Sequence, residues 1–278
     1  MRLVFLIFIS FLSFPSLAAE KSQRIVSMSL CSDELLLLLS KPEEIISLSY
    51  LSGDPRYSYL NKENNLDLTG IYLNHGLAEE IIPLEPDLIL NTRYSAGTAA
   101  NFLQGFGYTV TTLSLPTTLE QTYQQIEEVA TLLDEKEKGA RLIQQLQNRI
   151  KEAQASLGVQ RNLTAVFYSN NGLSFGSGTL RDEFLNTLGI KNLASEQGIV
   201  GSGKLSIELL ISEQPDFLLI DHSGLHDDKL VQPLLQHPIL KQYFPAKKVI
   251  VLPSTLFQCA GPSLIEAYEL MVQALGEF

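Results

Sequence analysis

The 278-residue chain has no tryptophan, only two cysteines, only four histidines, and 20 basic residues against 31 acidic ones. Each scarcity excludes something. A formal charge of −11 leaves no basic footprint for a nucleic-acid backbone, and it favours a soluble protein that docks, where it docks, on a basic partner. Four histidines do not make an ordinary zinc or manganese ligand set. His222 and His226 are four apart, but Ser223 and Gly224 between them read as a loop, and His237 precedes Pro238 as a loop residue would. Without tryptophan, any aromatic binding surface has to be assembled from tyrosine and phenylalanine. Long apolar runs are absent too, except at the very start.

That one run decides the compartment. Met1 and Arg2 precede an apolar stretch from Leu3 to Phe14, and Ser16, Leu17, Ala18 and Ala19 supply a small-residue exit. This is the pattern of a cleaved secretory signal peptide over residues 1–19. The run is too short to span a hydrocarbon core of about 30 Å, which leaves an uncleaved anchor as the weaker alternative. No cysteine stands near the exit to carry a lipid. The expectation is a chain free in the periplasm, long enough for two lobes or one large domain. In an oxidising compartment two thiols more often form a disulfide than a site, so Cys31 and Cys259 are candidates for a bond. Free thiols or a ligand-contacting pair remain the other options.

What is present is a βα rhythm. Arg24 to Leu30, Ile45 to Leu51, Leu88 to Asn91 and Thr109 to Leu113 read as strands, with helices near Glu34 to Leu39, Leu77 to Leu84 and Ala96 to Phe106. The rhythm breaks from Leu119 to about Ser156, which has no proline, one glycine and apolar residues at helical spacing. One long amphipathic helix, or two nearly continuous ones, is expected there as a brace between lobes. The rhythm then resumes through Leu163 to Tyr168, a glycine-rich loop over Asn170 to Gly178, a helix over Leu180 to Leu188, strands at Phe217 to Asp221 and Val249 to Leu252, and a last helix at Ser263 to Leu275. The predicted class is α/β: two Rossmann-like lobes with mostly parallel sheets, an N-terminal lobe over 20–116, a linking helix over 117–157 and a C-terminal lobe over 158–278.

A repeat supports the division. Glu79 is followed after six residues by Pro86-Asp87 and an apolar strand, and Glu208 likewise by Pro215-Asp216 and an apolar strand. The residue before proline is pushed out of the helical region, so each unit is a short helix that stops, turns and enters a buried strand. Two lobes with matching units make a cleft between them, and small ligands bind in such clefts.

The ordered set RIVSMSLCSDELLLLL, LEPDLIL, FGSGTLRDEFLNTLG, LSIELLISEQPDFLLI and CAGPSLIEAYELM resembles the periplasmic binding proteins of ABC importers for cobalamin and ferric siderophores, the two-lobed type with a rigid helical backbone. The resemblance covers essentially the whole mature chain. It implies no enzyme activity and no resident cofactor, a monomer, a corrinoid, haem or ferric siderophore as ligand, and an inner-membrane permease as partner. It also implies permease-docking roles for Glu79 and Glu208, whose carboxylates would pair with arginines. In that fold the strand-to-helix turns face the cleft, which marks Ser32, Tyr50, Tyr72, Arg93, Tyr94, Tyr168, Phe175, His222 and Phe257 as ligand-contact candidates. If Cys31 and Cys259 join there, the bond tethers the lobes. Cobalamin binders of this type tend to place tryptophan in the cleft, so its absence here widens the ligand question to iron chelates.

Three rival readings attach to particular features. Gly172 to Gly176 (GLSFG) matches the nucleophile elbow of α/β hydrolases, with Ser174 as nucleophile, but Ser177 and Gly178 prolong the loop where the elbow needs a helix. Gly198 to Lys204 nearly reads as a phosphate-binding loop, with Leu205 in place of the Ser or Thr that would hold magnesium. A non-transport sensor of the same fold is the third.

Overall fold

The computed structural model describes residues 23–64, 66–157, 162–169, 172–222 and 237–276; the expected signal peptide and His226 lie outside them. The N-terminal lobe is built on β1 (Ile25–Ser27), β2 (Ile45–Ser49), β3 (Tyr72–Asn74), β4 (Leu88–Thr92) and β5 (Val110–Leu113), all parallel, in the order β3-β2-β1-β4-β5. Every residue of β1 and β4 is buried. Strands buried at successive positions are covered on both faces, here by α1 (Leu30–Leu39) on one and by α3 (Ala78–Ile81) and α4 (Gly97–Gly105) on the other, while α2 (Tyr59–Asn64) lies in the connection between β2 and β3.

The C-terminal lobe repeats the plan. Strands β6 (Thr164–Phe167), β8 (Lys191–Asn192), β10 (Phe217–His222) and β11 (Val249–Pro253) are parallel in the order β11-β10-β6-β8, beside a small antiparallel pair, β7 (Leu173–Phe175) with β9 (Ser202–Lys204). Its helices are α7 (Leu180–Thr187), α8 (Leu193–Glu196), α9 (Ile207–Glu213), α10 (Pro238–Tyr243) and α11 (Ser263–Gly276).

The sequence repeat has one geometry in both lobes. Glu85 (φ 44°) and Gln214 (φ 46°) sit in the left-handed region immediately before their prolines, which stops each helix. The aspartate that follows then clips the start of the neighbouring strand. The Asp87 carboxylate accepts the Arg24 N–H at 2.9 Å while the Asp87 N–H donates to the Arg24 carbonyl at 2.8 Å. The Asp216 carboxylate accepts the Thr164 N–H at 2.9 Å while the Asp216 N–H donates to the Thr164 carbonyl at 2.8 Å. These paired bonds set β4 beside β1 and β10 beside β6.

The linking segment is two helices, α5 (Leu119–Leu132) and α6 (Lys136–Ser156), not one rod. Asp134 (φ 56°) reverses the chain, and a Cβ on Gly139 would lie 2.5 Å from the Ala130 Cβ, so only glycine lets α6 approach α5 this closely. Ile126, Val129, Ala130 and Leu133 of this turn join the N-lobe core together with Leu146 of α6, whereas Ile150 and Ala153 of α6 join the C-lobe core. The bridge between lobes is therefore α6, about 31 Å long at 1.5 Å per residue. Contacts crossing the seam reinforce it. Tyr59 and Leu119 pack on the C-lobe core and Ile265 packs on the N-lobe core, while Arg149 of α6 pairs with Glu269 of α11. Among the described residues, no helix is long and apolar enough to cross a membrane.

Candidate functional site

Cys31 and Cys259 are bonded, with Cα atoms 5.2 Å apart and 228 residues between them in sequence. The bond removes the free-thiol options, and it fixes how the lobes face each other. Cys31 lies in the first turn of α1, just past the end of β1, and Cys259 follows the 3-10 turn Ser254–Phe257 that continues β11. The carboxyl ends of the two parallel sheets are thus turned toward one another, and in α/β sheets those ends carry ligand sites.

On the N-lobe side, buried polar groups hold the strand-end loops. Asp33 is fully buried and accepts the Ser49 N–H at 3.1 Å and the Ser52 hydroxyl at 2.7 Å, as well as the Ser49 hydroxyl. Those bonds brace the turn that presents Tyr50. Burial still pushes the Asp33 carboxyl up to about 6, against the lowering effect of its serine partners. Asn74, also fully buried, donates to the carbonyls of Ser27 and Leu48 and to the Ser47 hydroxyl, and it accepts the Gly76 N–H. The loop after β3 is thereby pinned with His75 at its tip. The imidazole stacks on Tyr50, with ring centroids 4.8 Å apart and planes 22° apart. Its Nδ1 lies 3.0 Å from the Glu80 carboxylate, which also accepts the His75 N–H at 2.7 Å and the Tyr72 hydroxyl at 3.4 Å. Burial works to raise the Glu80 carboxyl, but its bonds from His75 and Leu77 outweigh that and hold it below the ordinary value.

Tyr50 and Tyr72 thus converge with two groups that the sequence reading did not single out, His75 as an individual contact and Glu80. The second left a signal: a glutamate three residues past Leu77, at the start of α3, is the capping-box position, and its carboxylate does reach back to the loop's backbone N–H groups. Arg93 and Tyr94 follow β4 and are exposed, Tyr94 at 80 %. A cavity of about 670 Å³ opens beside them, with His75, Leu77, Glu79, Ser95 and Phe102 in its wall. Ser32 does not reach the surface; its hydroxyl is bonded to those of Ser27 and Ser29 at 2.7 and 2.6 Å.

On the C-lobe side the candidates divide. Phe175 is half-buried, with the Arg181 guanidinium 4.1 Å over its ring. Phe257 is buried, edge-on to Phe167 at 5.2 Å and to Phe184 at 5.1 Å, and Tyr168 is buried as well. These two rings belong to two different core clusters of the lobe. His222 ends β10, and its side chain lies outside the described residues. Arg181, in the first turn of α7, is a further basic group that sequence pattern did not distinguish from an ordinary helix residue. Glu79 and Glu208 are exposed, each in the first turn of its repeat helix.

The rival motifs find other geometry. Ser174 lies within β7 opposite Gly203, fully buried, with a hydroxyl that has no partner among the described residues, so it does not stand at an exposed strand-to-helix elbow. Gly198 to Lys204 leads into strand β9 where a phosphate loop requires a helix. Among the described residues, no three His, Cys, Asp or Glu side chains cluster as a metal site.

Comparison with known proteins agrees with this architecture. The family described as "Periplasmic binding protein" matches residues 25–256. The vitamin B12-binding protein of Photorhabdus laumondii is 28% identical over 275 residues, covering 98% of this chain and 94% of that protein. Two solved structures share the fold. The periplasmic heme-binding protein RhuT from Roseiflexus sp. RS-1, in apo form, superposes with a TM-score of 0.75 at 23% identity, covering 92% of this chain and 98% of that one. The periplasmic vitamin B12-binding protein BtuF of Vibrio cholerae superposes with a TM-score of 0.67 at 17% identity, covering 92% and 97%. With a family match spanning both lobes and the linking helices, this chain belongs to the periplasmic binding protein family.

Proposed function

We propose that the protein is the periplasmic solute-binding component of an ABC importer, which takes a cobalamin-like or iron-chelate ligand between its lobes and delivers it, as a monomer, to an inner-membrane permease. The observation that carries this reading is the opposition of the two sheets' carboxyl ends across the Cys31–Cys259 bond, in a chain 28% identical to a vitamin B12-binding protein. Tyr50 and Tyr94, exposed just past the carboxyl ends of β2 and β4, supply stacking area, and Tyr72 at the start of β3 and half-buried Phe175 at the end of β7 add to it. Arg93 suits an acidic substituent on the ligand. Glu79 and Glu208, one per lobe on equivalent helices, suit two basic sockets on one permease dimer.

Two measurements test the proposal. Calorimetry on the oxidised mature chain with cyanocobalamin, haemin and a ferric siderophore is expected to find one tight ligand; binding of none of them refutes ligand capture. In cells carrying the cognate permease, the Glu79→Lys, Glu208→Lys double variant should abolish uptake while soluble affinity stays unchanged. Undiminished uptake would remove the docking role.

A further inference from the structure

The two parallel sheets end in four edge strands, β3 and β5 in the N-terminal lobe and β8 and β11 in the C-terminal lobe. An open edge presents N–H and C=O groups to any second strand, and proteins that stay apart blunt it with charge, proline, a bulge or shortness. Three of these edges are blunted. β3 and β8 are cut to three and two residues, and β11 follows Lys247 and Lys248 and ends at Pro253. β5 is not. Its four residues run in unbroken register with β4, and no Asp, Glu, Lys, Arg or His occurs between Arg93 and Glu120, a stretch that takes in α4, β5 and the chain just beyond it.

The backbone of β5 is aimed accordingly. The Thr109 and Leu113 carbonyls accept the Ile89 and Arg93 N–H groups on the β4 side, at 2.9 and 3.0 Å. These groups alternate along a strand, so Val110 and Thr112 direct their N–H and C=O to the open side. Among the described residues no strand lies there. The exposed residues of the flanking segments, Asn101, Gln104 and Gly105 on α4 and Ser114 and Leu115 past β5, carry no charge.

We infer that β5 is a self-association edge: it pairs antiparallel with β5 of a second copy of this chain about a two-fold axis at Thr111, and the two N-terminal sheets become one. In that register Val110 of each copy lies opposite Thr112 of the other. Each such pair exchanges both of its backbone hydrogen bonds, and the two Thr111 side chains meet at the axis. Charge selects the occupant. Two copies at −11 repel over most of their surface and least where neither carries charge, whereas a basic partner gains nothing at an edge without a carboxylate. A strand this short makes a small, reversible contact. The pair therefore forms from the monomer by mass action and leaves it free to dock, and neither Glu79 nor Glu208 lies on the edge.

Sedimentation equilibrium of the oxidised mature chain, from micromolar to millimolar at low and high salt, tests this. The mean mass should climb with concentration toward twice that of the monomer, and further at high salt, because screening relieves the repulsion between two acidic chains. Thr112→Pro removes an outward N–H without touching the bonds to β4, and Thr112→Lys sets like charges against each other across the edge. Both should weaken association at least about tenfold, since the two-fold doubles each loss, with thermal melting as the control for folding. Thr111→Cys should crosslink two copies on mild oxidation, and Thr109→Cys, displaced from the axis, should not. A monomer mass under every condition overturns the inference. So does a dimer that weakens with salt, one that both Thr112 variants leave intact, or one that crosslinks as readily in Thr109→Cys as in Thr111→Cys. Ligand calorimetry is independent of all these readings, so failure here leaves ligand capture standing.

Discussion

Asp33 and Glu34 are adjacent on α1, and both are buried. Asp33 has serine donors around it, yet burial carries it up to about 6. Glu34 has only the Tyr59 backbone to offset its burial, the neighbouring Asp33 charge works against it, and its carboxyl rises to about 8. Both folded values stand above the ordinary carboxylate range, so the folded chain binds these protons more tightly than the unfolded chain does. The stability they contribute is complete below about pH 4 and is lost as pH climbs through the folded values. Glu34→Gln should therefore flatten the pH–stability profile. It should be more stable than wild type at pH 8, by on the order of 2–4 kcal/mol, and the gap should close toward pH 5. Parallel profiles for the two proteins would mean that Glu34 is not buried as a neutral acid. At this scale the sequence was only half legible. Tyr50, Tyr72, Tyr168 and Phe257 lie in or just after strands and look alike as candidates, yet the first two are exposed and the last two are covered. Position along a strand says where a residue lies, but what lies over it comes from chain far away, as Phe184 does for Phe257.

At the scale of elements, the repeat was the most informative feature, and the structure gives it a cause. Pro-Asp does more than turn the chain: the aspartate engages both the N–H and the C=O of the residue at the entry to the neighbouring strand, Arg24 just before β1 and Thr164 at the start of β6. Asp216→Ala leaves the Thr164 N–H unbonded in a part-buried position. It should cost about 1–3 kcal/mol in urea denaturation, with Asp216→Asn recovering part of that through its remaining carbonyl oxygen. Equal losses in the two variants would show that charge, and not the bond, matters. The linking segment is the counter-example. Its helical spacing was plain, and Gly139 was visible as the single interruption, but periodicity does not distinguish a rod from a hairpin. The reversal at Asp134 follows from Ile126, Val129, Ala130, Leu133 and Leu146 sharing one core, which is a contact between helices and leaves no periodic trace.

At the scale of the molecule, the two lobes are joined on one side by α6 and the seam around Tyr59, Leu119 and Ile265, and on the cleft side by the disulfide. A covalent link on the cleft side limits how far the sheets' carboxyl ends can separate. Cys31→Ser, Cys259→Ser should lower stability by about 2–5 kcal/mol, because the bond closes a very long loop in the unfolded chain. It should also broaden the distance distribution between probes placed on the two lobes and quicken ligand release. An unchanged distribution would mean that the helical seam alone sets the aperture.

The sequence by itself determined the class of fold, the division into two lobes, the two strand-entry units and the candidate pairing of the cysteines. These are local or compositional properties, written in periodicity, in proline and in the count of thiols. Only the tertiary structure decided that Cys31 meets Cys259, that the linking segment folds back before it bridges, and that His75, Glu80 and Tyr50 come together. Glu80 acts across a turn, Tyr50 comes from the neighbouring strand, and Cys259 comes from 228 residues away. Such contacts are set by how strands order themselves in a sheet and how two sheets face each other, and no local pattern encodes that.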